Sequence, residues 1–273
     1  MTIVLITIAV LIIGLYVMVL AVLTVRQRRF LYGPDTNRPD LAAAGVPGAR
    51  EMSVRTADGL DLLAWFVPPG DEALPVVLYL HGNGGHIGYR ANRMAQLQRF
   101  GWGALLLDYR GYGGNPGSPT ESGLIDDARA AYAVLRDLGI DGSRLLLWGE
   151  SLGTGVAVRL ATEVDIGALM LESPYTSILA IARQRFPYAP VGWLLRDRFD
   201  LIGRVPSVGA PVLVMTGGRD EVVSPAMGRA VFEAAQQPKV FWLAPDAGHN
   251  DLVEAGAFDT VRDFIEAHWV PSP

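Results

Sequence analysis

Three kinds of hydrophobic pattern follow one another along this chain. Residues 2–25 carry no charged side chain. As a helix rising 1.5 Å per residue, such a run extends about 36 Å, more than a hydrocarbon core of about 30 Å. It has no polar face, which argues against a core helix. A cleaved signal peptide normally places basic residues before an apolar core of about 7–15 residues. Here no basic residue precedes the run, and the run is longer, so the pattern predicts a retained transmembrane anchor. Residues 30–50, with Pro34, Pro39 and Pro47, read as an extended connector without regular structure.

From Met52 onward short apolar runs alternate with helix-period stripes. Residues 53–55 and 60–67 flank Asp58-Gly59 as a hairpin would. Buried strands are predicted at 75–80, 104–107, 145–148, 168–171, 212–215 and 240–243. Helices are predicted at 91–100, 121–138, 153–161, 226–235 and 258–268. Alternation of this kind predicts an α/β fold, with a mostly parallel sheet covered by helices on both faces. Residues 174–208 have weaker periodicity and are rich in aromatic residues and Pro. They are the expected cap over a site at the carboxyl ends of the strands.

Composition then removes several function classes. The 273 residues are 50% hydrophobic with a net charge of −5. That excludes disorder and argues against a nucleic-acid surface, which needs a concentrated basic face. With no Cys, thiolate nucleophiles, thiolate metal sites and disulfides are absent. The four His lack the spacing of a zinc hydrolase.

Gly149-Glu150-Ser151-Leu152-Gly153 follows a predicted strand and opens a predicted helix, the arrangement of a nucleophile elbow. Ser needs a base, and the base an orienting acid. Asp220 follows the strand at 212–215 and His249 the strand at 240–243, so Ser151, Asp220 and His249 occur in the order of an α/β-hydrolase triad. His86 and His268 are weaker candidates for the base, and Glu172, Glu221 and Asp251 for the acid. His81-Gly82-Asn83-Gly84-Gly85 follows a strand and offers backbone N–H groups to an oxyanion, with Asn83 and Leu152 the expected donors. Tyr175 and Trp193 are candidates for lining a substrate pocket. His81 is expected to bond its own loop.

These segments, with Asp108-Tyr109-Arg110-Gly111-Tyr112-Gly113, Glu172-Ser173-Pro174-Tyr175, Gly218-Arg219-Asp220 and Gly248-His249-Asn250-Asp251, resemble the α/β-hydrolase superfamily. More narrowly they resemble its Bem46-like group of membrane-anchored serine hydrolases, related to the ABHD13 and ABHD17 proteins. The resemblance implies an α/β-hydrolase fold at 51–270 with a small cap at 174–208, a basic flank and connector at 26–50, and an anchor at 2–25. It implies hydrolysis of an ester or thioester through an acyl-enzyme, with no cofactor and no metal. A peptidase of the serine aminopeptidase type and an inert membrane scaffold are the alternatives. The expected partners are a small-molecule or lipid-linked acyl substrate and the membrane. Arg26, Arg28 and Arg29 follow the apolar run, which predicts a cytoplasmic catalytic domain by the positive-inside rule.

Overall fold

The computed structural model describes residues 1–270. Eight strands build one sheet: β1 (Arg50–Arg55), β2 (Asp61–Val67), β3 (Val76–Leu80), β4 (Gly103–Leu107), β5 (Leu145–Glu150), β6 (Ala168–Glu172), β7 (Val212–Gly217) and β8 (Lys239–Ala244). Their order across the sheet is β8-β7-β6-β5-β3-β4-β2-β1. β3 to β8 run parallel, and only β2, against both β4 and β1, is antiparallel. The five-residue runs of β3 and β4 are buried throughout because both faces of the sheet are covered, which explains why they read as unbroken apolar stretches.

The described chain also contains the helices α1 (Thr2–Leu31), α2 (Ala91–Arg99), α3 (Glu121–Asp137), α4 (Leu152–Ala161), α5 (Ile178–Arg185), α6 (Pro225–Ala234) and α7 (Ala257–His268). On one face, Leu124, Ala131 and Leu135 of α3 and Val156 and Leu160 of α4 share a core with Leu78, Leu105 and Leu147. On the other, Met94 and Leu97 of α2 and Phe258, Val261 and Phe264 of α7 pack on Tyr79, Leu106 and Trp148. The 3.6-residue stripes of these helices and the two-residue alternation of the strands meet in these two layers. β5, β7 and β8 share a direction, so the segments that leave their carboxyl ends gather on one side of the sheet.

The amino-terminal helix continues past the uncharged run, through Arg26, Arg28 and Arg29 to Leu31. Charge ends the apolar run at Val25, but Arg and Gln are good helix formers, so the backbone carries on. α1 has the length and composition of a membrane span or a signal sequence. Its last turns pack on the domain along one stripe: Leu20, Leu23, Thr24, Gln27, Arg28 and Leu31 are half-buried, whereas its first eighteen residues are exposed. The Gln27 amide is gripped from both sides, donating to the Leu194 carbonyl at 3.1 Å and accepting from the Arg196 N–H at 2.7 Å. Arg28 makes a two-pronged ion pair with the buried Asp197 at 2.8 and 3.2 Å.

The connector has more structure than a Pro-rich reading anticipates. Asp40 caps a single turn, Leu41–Ala44, by accepting from the N–H groups of Ala42 and Ala43, and Gly45 ends it in the left-handed region at φ 65°. Gly33 and Pro34 pair in parallel with Gly84 and Gly85. The segment leaving α1 is thereby joined to the Gly-rich loop after β3.

Candidate active site

Ser151 sits at the break between β5 and α4 with φ 48° and ψ −114°. That conformation is costly for a residue with a Cβ and persists only where the surroundings impose it. They do so through the flanking glycines. A Cβ on Gly149 would lie 2.6 Å from the Gly153 carbonyl oxygen and 2.7 Å from the Thr154 Cα. A Cβ on Gly153 would overlap the Leu80 carbonyl oxygen. Only glycine at both places lets the chain turn this tightly against β3. The Ser151 N–H is held by the Glu172 carbonyl at 2.8 Å, and the Ser151 carbonyl accepts from the Thr154 N–H at 2.9 Å.

Three loops leaving β5, β7 and β8 bring Ser151, Asp220 and His249 into one hydrogen-bonded chain. His249 Nε2 lies 2.9 Å from Ser151 Oγ, and His249 Nδ1 lies 2.7 Å from Asp220 Oδ2. A carboxylate only accepts, so Nδ1 carries the proton and Nε2 is left to accept from the hydroxyl. Asp220 Oδ1 accepts from the N–H groups of Val222 and Val223, both at 2.8 Å. Burial alone pushes the Asp220 carboxyl up. The hydrogen bond from His249 and those from Val223 and Val222 outweigh it and hold the carboxyl below its ordinary value. This geometry keeps the carboxylate charged beside the imidazole.

Ser151, Leu152, Asn83 and His249 border one cavity of about 730 Å³. Leu152 is the first residue of α4, where an N–H has no acceptor within the helix. Among the described residues the N–H groups of Leu152 and Asn83 have no hydrogen-bond partner. The Asn83 side chain faces the other way, its Oδ1 accepting from the Gly33 N–H at 2.7 Å. His81 Nδ1 lies 2.7 Å from the Gly82 carbonyl, so this ring donates to its own loop.

The remaining candidates fall elsewhere. Glu172 is not beside His249: its carboxylate takes both prongs of Arg93, at 2.6 and 2.9 Å, and the Trp148 indole N–H at 2.9 Å. Asp251 caps its own loop by accepting from the Gly248 N–H. His86 stacks on Tyr89 at 4.5 Å between centroids, and His268 packs on Phe264. Tyr175 borders the cavity as a buried side chain whose hydroxyl donates to the Leu152 carbonyl at 3.2 Å. Trp193 corrects the pocket-lining expectation. It is 91% exposed and does not border the cavity. It belongs to an apolar segment, but its ring lies on the outer side.

A charged cluster beneath the elbow escapes motif reading. Glu150, inside the Ser motif, accepts from Arg90 at 2.7 and 3.1 Å and from the Tyr79 hydroxyl at 2.5 Å. Arg90 also donates to the Gly84 carbonyl at 2.8 Å, tying the Gly-rich loop to the elbow. Arg93 lies between Glu150 and Glu172. The only sequence signal was a pair of Arg three residues apart at the start of a helix whose other inward residues are apolar. Burial pushes the Glu150 carboxyl up, but Arg93 and Arg90 hold it far below its ordinary value near 4.5. A group depressed in the folded state binds protons more readily when unfolded, so acid favours unfolding. Stability from Glu150 and Asp220 is therefore complete above their ordinary range, begins to fall as pH drops through it, and is gone only below their depressed folded values. The melting temperature is expected to drop steeply below about pH 4.5, and Glu150→Gln is expected to flatten that acid limb in a thermal melt series.

The chain belongs to the α/β-hydrolase superfamily and is like the alpha/beta hydrolase domain-containing proteins within it. The Hydrolase_4 family, described as serine aminopeptidase S33, matches residues 71–199. The chain is 32% identical over 219 residues to human alpha/beta hydrolase domain-containing protein 17B, covering 79% of this chain and 75% of that protein. It is 40% identical over 245 residues to an uncharacterized protein of Mycobacterium tuberculosis strain H37Rv, covering 88% and 87%. Among solved structures, the Pyrococcus furiosus esterase Pf2001 superposes with a TM-score of 0.72 at 20% identity, covering 87% of this chain and all of that one.

Proposed function

We propose that this protein is a membrane-anchored serine hydrolase that cleaves carboxylic ester or thioester bonds. The observation that carries this reading is the chain Ser151–His249–Asp220, with links of 2.9 and 2.7 Å, at the floor of a mainly apolar cavity. Ser151 Oγ attacks the acyl carbonyl while His249 Nε2 takes its proton. The tetrahedral oxyanion is held by the N–H groups of Leu152 and Asn83. His249 gives the proton to the leaving alcohol or thiol, and the acyl group stays on Ser151. Water, deprotonated by His249, then attacks this ester and releases the carboxylic acid. Asp220 stays ionised, fixes the ring and stabilises the imidazolium.

The packing of α1 on the domain favours a retained anchor over a cleaved signal, because Gln27 and Arg28 hold Leu194, Arg196 and Asp197 of the cap and α1 walls the cavity. Arg26, Arg28 and Arg29 support a cytoplasmic catalytic domain.

The family's aminopeptidase description supports a second reading, cleavage of short peptides. A site that binds a free α-amine needs an uncommitted carboxylate. The acid bordering the cavity, Glu150, is already paired with Arg90 and accepts from the Tyr79 hydroxyl, which favours acyl substrates. A panel of p-nitrophenyl acyl esters, acyl thioesters and aminoacyl p-nitroanilides tests the choice. Esters and thioesters are expected to turn over at least about a hundredfold faster than anilides in kcat/KM. The reverse order would make the protein a peptidase.

A further inference from the structure

The cap carries a feature that hydrolysis in water does not require. Residues 186–195, Phe-Pro-Tyr-Ala-Pro-Val-Gly-Trp-Leu-Leu, contain no charge, yet Arg183 and Arg185 precede them and Arg196 and Arg198 follow. The largest aromatic side chains of the segment face outward, Trp193 at 91% and Tyr188 at 58% exposure. The backbone is largely self-satisfied. The N–H groups of Phe186, Ala189, Val191, Trp193, Leu194 and Leu195 all bond locally, and Pro187 and Pro190 carry none. Such economy is what a loop needs where water is scarce.

The anchor fixes the depth of this segment. Arg196 lies level with Gln27, through the bond to its amide, and Tyr188 lies level with Tyr16, whose hydroxyl donates to the Tyr188 carbonyl at 2.7 Å. The eleven residue steps from Tyr16 to Gln27 rise about 16 Å along α1, close to the thickness of one hydrocarbon leaflet at about 15 Å. Arg26, Arg28 and Arg29 on α1 and Arg196 just after the uncharged segment stand at the same end, the pattern of a basic collar at a headgroup layer. Between cap and anchor lies the active-site cavity. Leu20, Leu23 and Leu31 of α1 form one wall, and Phe186, Val191 and Leu194 of the cap form another.

We propose that residues 186–195 are inserted into one leaflet of the bilayer beside α1, and that the active-site cavity takes the acyl chain of its substrate laterally from that leaflet. The substrate class is a long-chain acyl ester or thioester resident in the membrane. This rests on the serine-hydrolase reading above. Insertion itself can be measured without any activity.

The chain has no Cys, so single labels are direct. Full-length Trp193→Cys and Glu72→Cys proteins, each carrying a polarity-sensitive fluorophore, are reconstituted in phosphatidylcholine–phosphatidylglycerol vesicles. Glu72 is an exposed residue before the amino end of β3, on the side of the sheet opposite Ser151. The label at 193 is expected to be quenched by lipids with a nitroxide on the acyl chain and protected from iodide, and the label at 72 to behave the opposite way. Iodide quenching at 193, or protection without lipid quenching, overturns insertion; the second outcome would mean that protein covers the cap. A second arm tests lateral access. Trp193→Asp places a charge in the leaflet and is expected to lower turnover of a vesicle-borne long-chain ester about tenfold or more. Turnover of a soluble short-chain ester should stay within about twofold, because Trp193 is outside the cavity. Equal loss on both substrates would overturn the access route. If neither ester is turned over by the unsubstituted protein while the label at 193 is still quenched by lipid, the hydrolase reading fails and the insertion stands.

Discussion

Ser151→Ala is expected to lower kcat/KM for a p-nitrophenyl acyl ester by about four to six orders of magnitude, and adding His249→Ala is expected to cost little more. The two residues act as a unit. Without Oγ there is no acyl-enzyme to form, so the base has no proton to take. What survives is polarisation of the carbonyl by the N–H groups of Leu152 and Asn83. Asp220→Asn is expected to cost about 10³–10⁴ in kcat, because an amide NH₂ facing His249 Nδ1 favours the wrong tautomer. The steady-state constants of the two single variants and the double variant check this. A Ser151→Ala protein within tenfold of the unsubstituted enzyme, or strictly additive losses, would refute the assignment of Ser151 as nucleophile.

The largest effect on stability is expected at Arg93, which never touches the reacting atoms. Its guanidinium is buried, with both prongs on Glu172 and the Tyr79 ring below it at 5.3 Å. Arg93→Met keeps the volume but strands the Glu172 carboxylate among apolar neighbours, at a cost of about 3–5 kcal/mol. For a domain of this size that lowers the melting temperature by roughly 6–20 °C. The asymmetry is the informative part. Burying an ion pair is close to neutral against well-packed apolar side chains, whereas leaving half of one is not. Arg93→Met with Glu172→Gln is therefore expected to recover most of the loss, since Gln removes the charge and can still accept from Trp148. Scanning calorimetry of the three variants checks the pattern. A single variant as stable as the double one would show that Glu172 does not depend on Arg93.

The candidate site was legible in the sequence because its parts obey a topological rule. A parallel sheet collects the ends of its strands, so Ser151, Asp220 and His249, each just past an apolar run, had to fall on one side. The elbow was legible for a steric reason: glycine is required at both 149 and 153, and the chain spells them. Other features carry no one-dimensional signal. Trp193 and Tyr175 are both aromatic residues of the same stretch, and hydrophobicity alone does not say which borders the cavity and which faces outward. Glu172 and Asp220 both follow strands; which of them reaches His249 depends on where Arg93 stands, 58 residues before Ser151 in the chain. The continuation of α1 to Leu31 was hidden because a run of Arg marks the end of an apolar stretch without ending a helix. The turn at Leu41–Ala44 was missed although Asp40 and Gly45 stand as its caps, because the prolines around it read as an irregular connector.

The most direct test of the central claim is a covalent one. The full-length protein is reacted with a fluorophosphonate, and the adduct is located by mass spectrometry. A single adduct is expected on the tryptic peptide 145–159, which contains Ser151 as its only Ser. It is expected to be absent from Ser151→Ala and formed far more slowly in His249→Ala. Labelling at another residue, or none on the folded protein, would contradict Ser151 as the nucleophile of a serine hydrolase.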